Sequence, residues 1–183
     1  MTTIVGVQYT DKTVLVADNQ VTDGEGRRFL HPDLAKITKR GEFLVAGSGE
    51  VQACDIVQHF WNPPKPTATD KKSLYHFVIT KALPSMRACL VDNGFDFNEG
   101  KGDSKSDEQR FHFLLAVGGE LFDVGDDMSV CRTEDGLYAV GSGAAYALGA
   151  LAAGADPEHA VSIACKFNVY SSAPLQREEQ YRY

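Results

Sequence analysis

The residues able to carry chemistry in this sequence fall into few groups, and most can be set aside on spacing alone. His31, His59, His76, His112 and His159 show neither metal-ligand spacing nor a Ser-His or Cys-His pattern. They are read as surface or packing residues. Cys54, Cys89, Cys131 and Cys165 are scattered without metal or redox spacing, which makes buried reduced thiols the expectation. Asp123, Asp126 and Asp127 surround Gly125 but lack the alternating oxygen ligands and closing Glu of a calcium loop, so a polar hairpin turn is expected there. Neither a metal nor a cofactor is indicated. Two Gly-Ser-Gly triplets, at Gly47–Gly49 and Gly141–Gly143, each follow an apolar run and precede a helical pattern. A strand ending there would aim backbone N–H groups and a helix N-terminus at one spot, although a tight turn needing glycine is the simpler reading. The last group is Thr2-Thr3, which runs directly into the apolar segment from Ile4. A threonine at the start of a chain can act as a nucleophile without histidine, because its own α-amine serves as base. Such an amine titrates near 8, so roughly a tenth is free base at neutral pH.

Composition bounds what could surround these residues. A chain of 183 residues suits one domain with a substantial core, here taken as residues 1–183. Hydrophobic content of 43% with 23% charged residues is ordinary for a globular protein. No apolar run is long enough to cross a bilayer and the start lacks the pattern of a signal peptide, so residence in the cytosol is expected, with no membrane partner. A net charge of -7 without clustered Lys and Arg argues against nucleic acid as a partner.

The elements that would position the candidates follow from periodicity. Ile4 to Val7 and Thr13 to Ala17 read as a hairpin of strands buried on both faces, turning at Tyr9 to Lys12 and ending at Asp18. A polar loop to about Asp33 precedes a second hairpin, Lys36 to Thr38 and Phe43 to Ala46, whose second strand is expected to stop at Gly47-Ser48-Gly49. Val51, Cys54, Val57 and Trp61 recur at helical spacing until Asn62-Pro63-Pro64. Leu74 to Leu90 reads as a second helix that Pro84 kinks or divides. Residues Asp92 to Glu108 read as a solvated acidic loop. Strands are expected at Phe111 to Val117, Leu121 to Val124, Met128 to Cys131 and Leu137 to Val140, the last after an Asp135-Gly136 turn. An alanine-rich helix then starts at Gly143. A final helix starts at Asp156-Pro157-Glu158, with Ala160, Ile163, Ala164 and Phe167 as its apolar face. "FLVAGSGEVQACDIV" and "LYAVGSGAAYALGAL" echo each other, which suggests two similar halves. The order of strands, helices, strands, helices implies a sheet-rich core with helices on its outer faces.

Taken in order, "TTIVGV", "VLVAD" ending in Asp18, "AKIT" with Lys36, "VAGSG" with Gly47 and "YAVGSGAAYALGA" resemble the proteasome family of N-terminal nucleophile hydrolases. The likeness is greatest to its bacterial branch, whose peptidase subunit begins Thr-Thr. It extends from Thr2 to about Ser171. The resemblance implies an α+β fold, a four-layer αββα sandwich, and a threonine peptidase acting on peptide or unfolded protein in a homo-oligomeric ring fed by an ATP-driven unfoldase. It makes Thr2 the nucleophile once Met1 is removed, Lys36 the neighbouring cation and Asp18 its partner. Gly47 N–H becomes the oxyanion donor and Ser142 the serine that hydrogen-bonds the catalytic amine. Val21, Val45 and Gly49 would line the substrate pocket. The family usually shows Asp, two residues, then Ser near the end; "NVYSS" places Asn168 at the Asp position and keeps Ser171, so shape is retained and a negative charge lost. That loss keeps a second reading open, a non-catalytic assembly protein with the same fold. A third reading is an N-terminal nucleophile hydrolase of a small amide. Under the first, the intact mass of the purified protein should lack Met1. Retention of Met1 in most of the sample would block the α-amine and favour the non-catalytic reading.

Overall fold

The computed structural model describes residues 2–30, 33–98 and 110–183. The strands are β1 (Ile4–Gln8), β2 (Lys12–Asp18), β3 (Val21–Thr22), β4 (Arg28–Phe29), β5 (Ile37–Arg40), β6 (Phe43–Gly49), β7 (Phe111–Val117), β8 (Glu120–Gly125), β9 (Val130–Cys131), β10 (Leu137–Val140) and β11 (Leu175–Tyr181). The helices are α1 (Val51–Phe60), α2 (Leu74–Phe77), α3 (Leu83–Asp92), α4 (Ala144–Ala152) and α5 (Pro157–Phe167).

Two antiparallel sheets form the centre, one ordered β10-β1-β2-β11 and the other β5-β6-β7-β8-β9. Period-2 alternation gives every central strand two buried faces. Ile4, Leu15 and Ala17 of the first sheet meet Leu44, Ala46, Leu114, Ala116 and Leu121 of the second in the middle layer. Val5, Val7, Val14 and Val16 point the other way, onto Ala147, Ala150 and Leu151 of α4 and Ala160, Val161 and Ala164 of α5. The outer face of the second sheet, with Phe43, Val45, Phe113 and Leu115, is covered by Ala53 and Val57 of α1, Phe77 of α2, and Met86 and Leu90 of α3. The result is the four-layer αββα sandwich. Alanine on α4 and α5 lets those helices lie close against a sheet face already carrying valines.

Several expectations are refined. The Leu74 to Leu90 segment is divided: a π-helical turn over Val78–Ala82 separates α2 from α3, and Pro84 occupies the first turn of α3, where its missing N–H is tolerated. Asp156 caps α5 by accepting from His159 N–H at 2.9 Å. Phe167 does not join the apolar face; at the last turn of α5 it is 64% exposed and stacks on Tyr146, while Val161 takes the buried position. The Asp33-side loop holds a small ribbon, β3 with β4, closed by Asp23 Oδ1, which accepts from Glu25 and Arg27 N–H. The first Gly-Ser-Gly is not a turn, since β6 runs through Gly49 paired with Phe111–Phe113, whereas the second follows the end of β10. The sequence echo thus joins two different backbones. Cys131 is exposed and the other three thiols half-buried, all unpaired. His112 pairs with Asp123 across β7 and β8, and Asp126 accepts from Arg110 N–H at 2.8 Å. No group of metal-ligating side chains occurs among the described residues, and no described helix is long and apolar enough to cross a membrane. His31, Met1 and residues 99–108 of the expected acidic loop lie outside the described residues.

The two sheets approach closely over Gly6, where an added Cβ would run into Leu121 and crowd Leu15 and Leu114 at 3.1 and 3.3 Å. Replacing Gly6 by Leu should therefore lower unfolding stability by about 1–3 kcal/mol or more, the usual range for overpacking. Gly24→Ala, at a site with open space, should change it by less than about 0.5 kcal/mol. Urea unfolding of both variants checks this.

Candidate active site

The site forms where β1, β2, β5 and β6 come together at one end of the sandwich, and its organising group is Asp18. Asp18 is the last residue of β2 and is fully buried. Its Oδ1 accepts from Thr3 N–H at 2.8 Å and from Lys36 Nζ at 2.7 Å; its Oδ2 accepts from Gln20 N–H at 2.9 Å and Ser172 N–H at 3.1 Å. Backbone pairing adds Asp18 N–H to Thr3 O at 3.0 Å. One carboxylate thus fixes the entry to β1, the exit from β2, the segment after α5 and the Lys36 side chain. Such a fully partnered anion is the form in which a charge survives burial.

Lys36 precedes β5 and is equally enclosed. Its Nζ also donates to Gln20 O at 2.6 Å. Burial pushes its pKa down from the ordinary lysine value, and the carboxylate of Asp18 opposes that. The Lys36 backbone is clamped by Gln176 of β11, whose Oε1 accepts from Lys36 and Ile37 N–H, both at 3.0 Å, while its Nε2 donates to Ile37 O at 2.5 Å. Neither β11 nor Gln176 is expected from the sequence. The charged run Arg177-Glu178-Glu179 hides an edge strand beside β2, and the use of Gln176 exists only once that strand is paired.

Thr2 is 5% exposed and Thr3 fully buried. The Thr2 carbonyl accepts from Gly143 N–H at 3.3 Å and from Ser142 Oγ at 3.4 Å. Glycine is required beside it: a Cβ at Gly141, whose φ is +92°, would strike the Thr2 carbonyl, and one at Gly143 would strike Thr3 Oγ1. Asn168 at the end of α5 donates from Nδ2 to Ser142 Oγ at 2.8 Å and Ser171 Oγ at 3.3 Å, and Ser171 Oγ lies 2.6 Å from Thr3 Oγ1. Ser142, Asn168 and Ser171 are therefore brought together beside the two threonines.

A cleft of about 140 Å³ opens over Thr2, lined by Val21, Leu34, Lys36, Gly47, Gly49 and Val51 among others. Val21 and Gly49 stand on its wall. Val45 does not: it shares the face of β6 that Gly47 presents but lies deeper, packed into the helix-side core with Ala53 and Val57. The Gly47 N–H points to the same end of the sheet but donates to Lys36 O at 3.3 Å, a carbonyl that also accepts from Gln58 Nε2 at 3.3 Å. A Cβ at Gly47 would meet Cys54 Sγ at 2.8 Å, so that thiol lies against the strand. Burial and then Asp55 push its pKa up to about 12, which disfavours the thiolate.

No family model matches this chain, and no curated protein matches it. Solved structures do. BPH of Thiobacillus denitrificans in complex with epoxomicin is similar with a TM-score of 0.70 at 20% identity, covering 99% of this chain and 99% of that one. A second BPH structure gives 0.66 at 20% identity, over 99% and 98%. HslV from Trypanosoma brucei gives 0.62 at 20% identity, over 98% and 99%. At this level of identity the likeness establishes the fold, and it does so along nearly the whole of each chain.

Removing Asp18 would leave the Lys36 cation buried with one carbonyl for company and would leave backbone N–H groups of Thr3, Gln20 and Ser172 unsatisfied. Asp18→Ala should lower stability by about 3–5 kcal/mol in denaturant unfolding. The double variant D18A/K36M should lose clearly less than the sum of its two single changes, because the orphaned charge is gone.

Proposed function

We propose that this chain is a threonine-type peptidase of the N-terminal nucleophile kind, in which Thr2 becomes the first residue by removal of Met1. The observation that carries this reading is the convergence on Thr2: an open cleft above it, a buried Asp18–Lys36 pair holding its neighbour Thr3, and a three-residue amide and hydroxyl network behind it. The fold shared with BPH and HslV supports it.

In the proposed reaction Thr2 Oγ1 attacks the carbonyl carbon of the scissile amide while its proton passes to the Thr2 α-amine. The Oγ1–C bond forms and the carbonyl oxygen becomes an oxyanion. Gly47 N–H is the proposed donor to that oxygen. Its present acceptor, Lys36 O, keeps the Gln58 side chain as a partner, so redirecting a long 3.3 Å bond leaves no carbonyl unsatisfied. Lys36 favours the free amine by charge, and Asp18 positions Lys36. The proton then moves from the ammonium to the leaving nitrogen as the C–N bond breaks, which leaves an ester on Thr2. Water attacks that ester with the amine again as base, releases the acid and restores the hydroxyl.

Peptide side chains would enter past Val21 and Gly49. The biological substrate we infer is peptide or unfolded protein. A homo-oligomeric ring, an ATP-driven unfoldase as partner, a cytosolic location and a single 183-residue domain complete the reading. The exposed apolar side chains of Phe60 and Val169, 62% and 75% accessible, are the kind of surface that such assembly would cover.

The test is hydrolysis of short fluorogenic peptides by the pure protein and by Thr2→Ala. The variant should lose at least about a thousandfold in kcat/KM, as nucleophile removal does elsewhere. Because BPH has been solved with epoxomicin, calorimetric binding of epoxomicin is a second readout, expected for the native protein and absent in the variant. Hydrolysis that survives in Thr2→Ala would assign the nucleophile elsewhere, and hydrolysis of acyl amides alone would move the substrate to a small molecule.

A further inference from the structure

At the active-site end of the second sheet, the face turned toward the middle layer changes from apolar to polar. Leu44 and Ala46 of β6, Leu114 and Ala116 of β7, and Leu121 of β8 fill that layer, and period-2 alternation places Ser48, His112 and Asp123 next on the same face. Ser48 and His112 stand directly opposite each other in the register of β6 and β7. His112 Nε2 pairs with Asp123 Oδ1, and the two side chains remain 26% and 23% exposed. His112 and Ser48 border a cavity of about 290 Å³, which Ala139 and Val140 of β10, Gly141 and Ala144 close on the facing side. Ser48 is 5% exposed, and its hydroxyl finds no hydrogen-bond partner among the described residues. Ser48 and Gly49 also line the cleft over Thr2. A Cβ at Gly141 would strike the Thr2 carbonyl and lie 2.9 Å from Ser48 Oγ. The cleft and this cavity therefore flank the end of β6 on its two faces, and the cavity reaches Thr2 through Gly141.

We propose that this cavity binds substrate on the leaving side of the scissile bond and takes a lysine or arginine side chain there. The inference rests on the peptidase reading. A peptide runs in both directions from the carbonyl under attack. With one half in the cleft beside α1, the other half passes the end of β6, where the cavity opens. The class of side chain follows from what the polar groups have left to offer. An ionised carboxylate can only accept, so its bond to His112 takes the Nε2 proton and leaves a neutral imidazole with a lone pair at Nδ1. Asp123 keeps its second oxygen, and Ser48 Oγ keeps its lone pairs. Among the described residues no Lys or Arg lines the cavity, and the neighbouring cation, Arg110, is already held by Glu50 Oε2 at 2.9 Å and Asp96 O at 2.6 Å. A group of acceptors carrying one negative charge selects a cation that donates. Ala139, Val140 and Ala144 make the facing wall small and apolar, which suits the methylene stem of a long basic side chain.

The experiment uses protein whose intact mass shows Thr2 first. Internally quenched peptides that differ in the residue after the cleaved bond, Lys, Arg, Ala or Glu, are compared at about pH 8, where an α-amine is largely free base, and the cut is located by mass spectrometry. Lys and Arg should be preferred to Ala, and Glu should be poorest. Asp123→Asn keeps the shape and removes the charge, and should lower the Lys-to-Ala ratio of kcat/KM by about tenfold, as loss of a charge-assisted hydrogen bond does. An unchanged ratio would reduce the His112 and Asp123 pair to a contact between strands and overturn the proposal. A basic preference confined to the acyl side of the bond would overturn it too. Should D123N fail to fold, Ala144→Lys brings a cation to the cavity from the facing wall and should turn the preference from Lys to Glu. A preference that A144K does not move would count against the proposal. A second readout needs no hydrolysis: in protein labelled at histidine, the His112 ring signals should shift on titration with Lys-Ala-Ala amide and stay in place with Ala-Ala-Ala amide, which carries the same α-amine. That shift without any hydrolysis would overturn the peptidase reading and support the cation site. Hydrolysis with neither the shift nor the basic preference would support the peptidase reading and overturn the cation site.

Discussion

The buried ion pair between Asp18 and Lys36 is the constraint on which the rest of this end of the molecule depends. A carboxylate removed from water must find partners for all its lone pairs, and here they come from Thr3, Gln20, Ser172 and Lys36. Four separated segments of chain are therefore held at one point by a single electrostatic requirement. Pairs of this kind contribute little net stability, but removal of one partner is severe, so they fix geometry more than they add to the total. The geometry they fix is the approach of the Thr2-Thr3 segment to the cleft.

Around that pair the sandwich supplies rigidity from every side. Both sheets are covered on both faces, so strand ends that meet at the site are extensions of a packed core and not free loops. Gly141 and Gly143 serve a different need: the chain between β10 and α4 must pass so close to Thr2 and Thr3 that no Cβ fits. Opposite them, Gln176 of β11 holds the Lys36-Ile37 backbone by both halves of its amide. The nucleophile candidate is thus bracketed by backbone contacts on one side and side-chain clamps on the other.

Much of this was legible residue by residue. The alternation in Ile4–Gln8 and Lys12–Asp18 marks strands buried twice over, because valine and isoleucine occupy both faces. Asp156-Pro157 announces a helix start because cap chemistry is local. What escaped is non-local. β11 is polar because it lies at a sheet edge, and its pairing partner β2 is more than 150 residues away. Val45 has the character of a pocket residue and shares the face of β6 that Gly47 presents, but α1 packs over it and closes it into the helix-side core. Phe167 sits one helical step beyond the buried stripe of α5 and is left at the surface. The two Gly-Ser-Gly triplets read alike and fold differently, since pairing with β7 keeps the first extended.

The sequence by itself determined most of the core strands and helices, the residue types available for chemistry and the absence of a carboxylate at position 168, all of which depend on local pattern or identity. Only the tertiary structure decided that Asp18 and Lys36 are buried together, that Gln176 belongs to the site, and that the Asn168 amide points its donors at Ser142 and Ser171. Those are consequences of long-range packing. Whether a charge is paired, or an amide turned one way, is settled by groups that the fold brings near and that the linear chain keeps far apart.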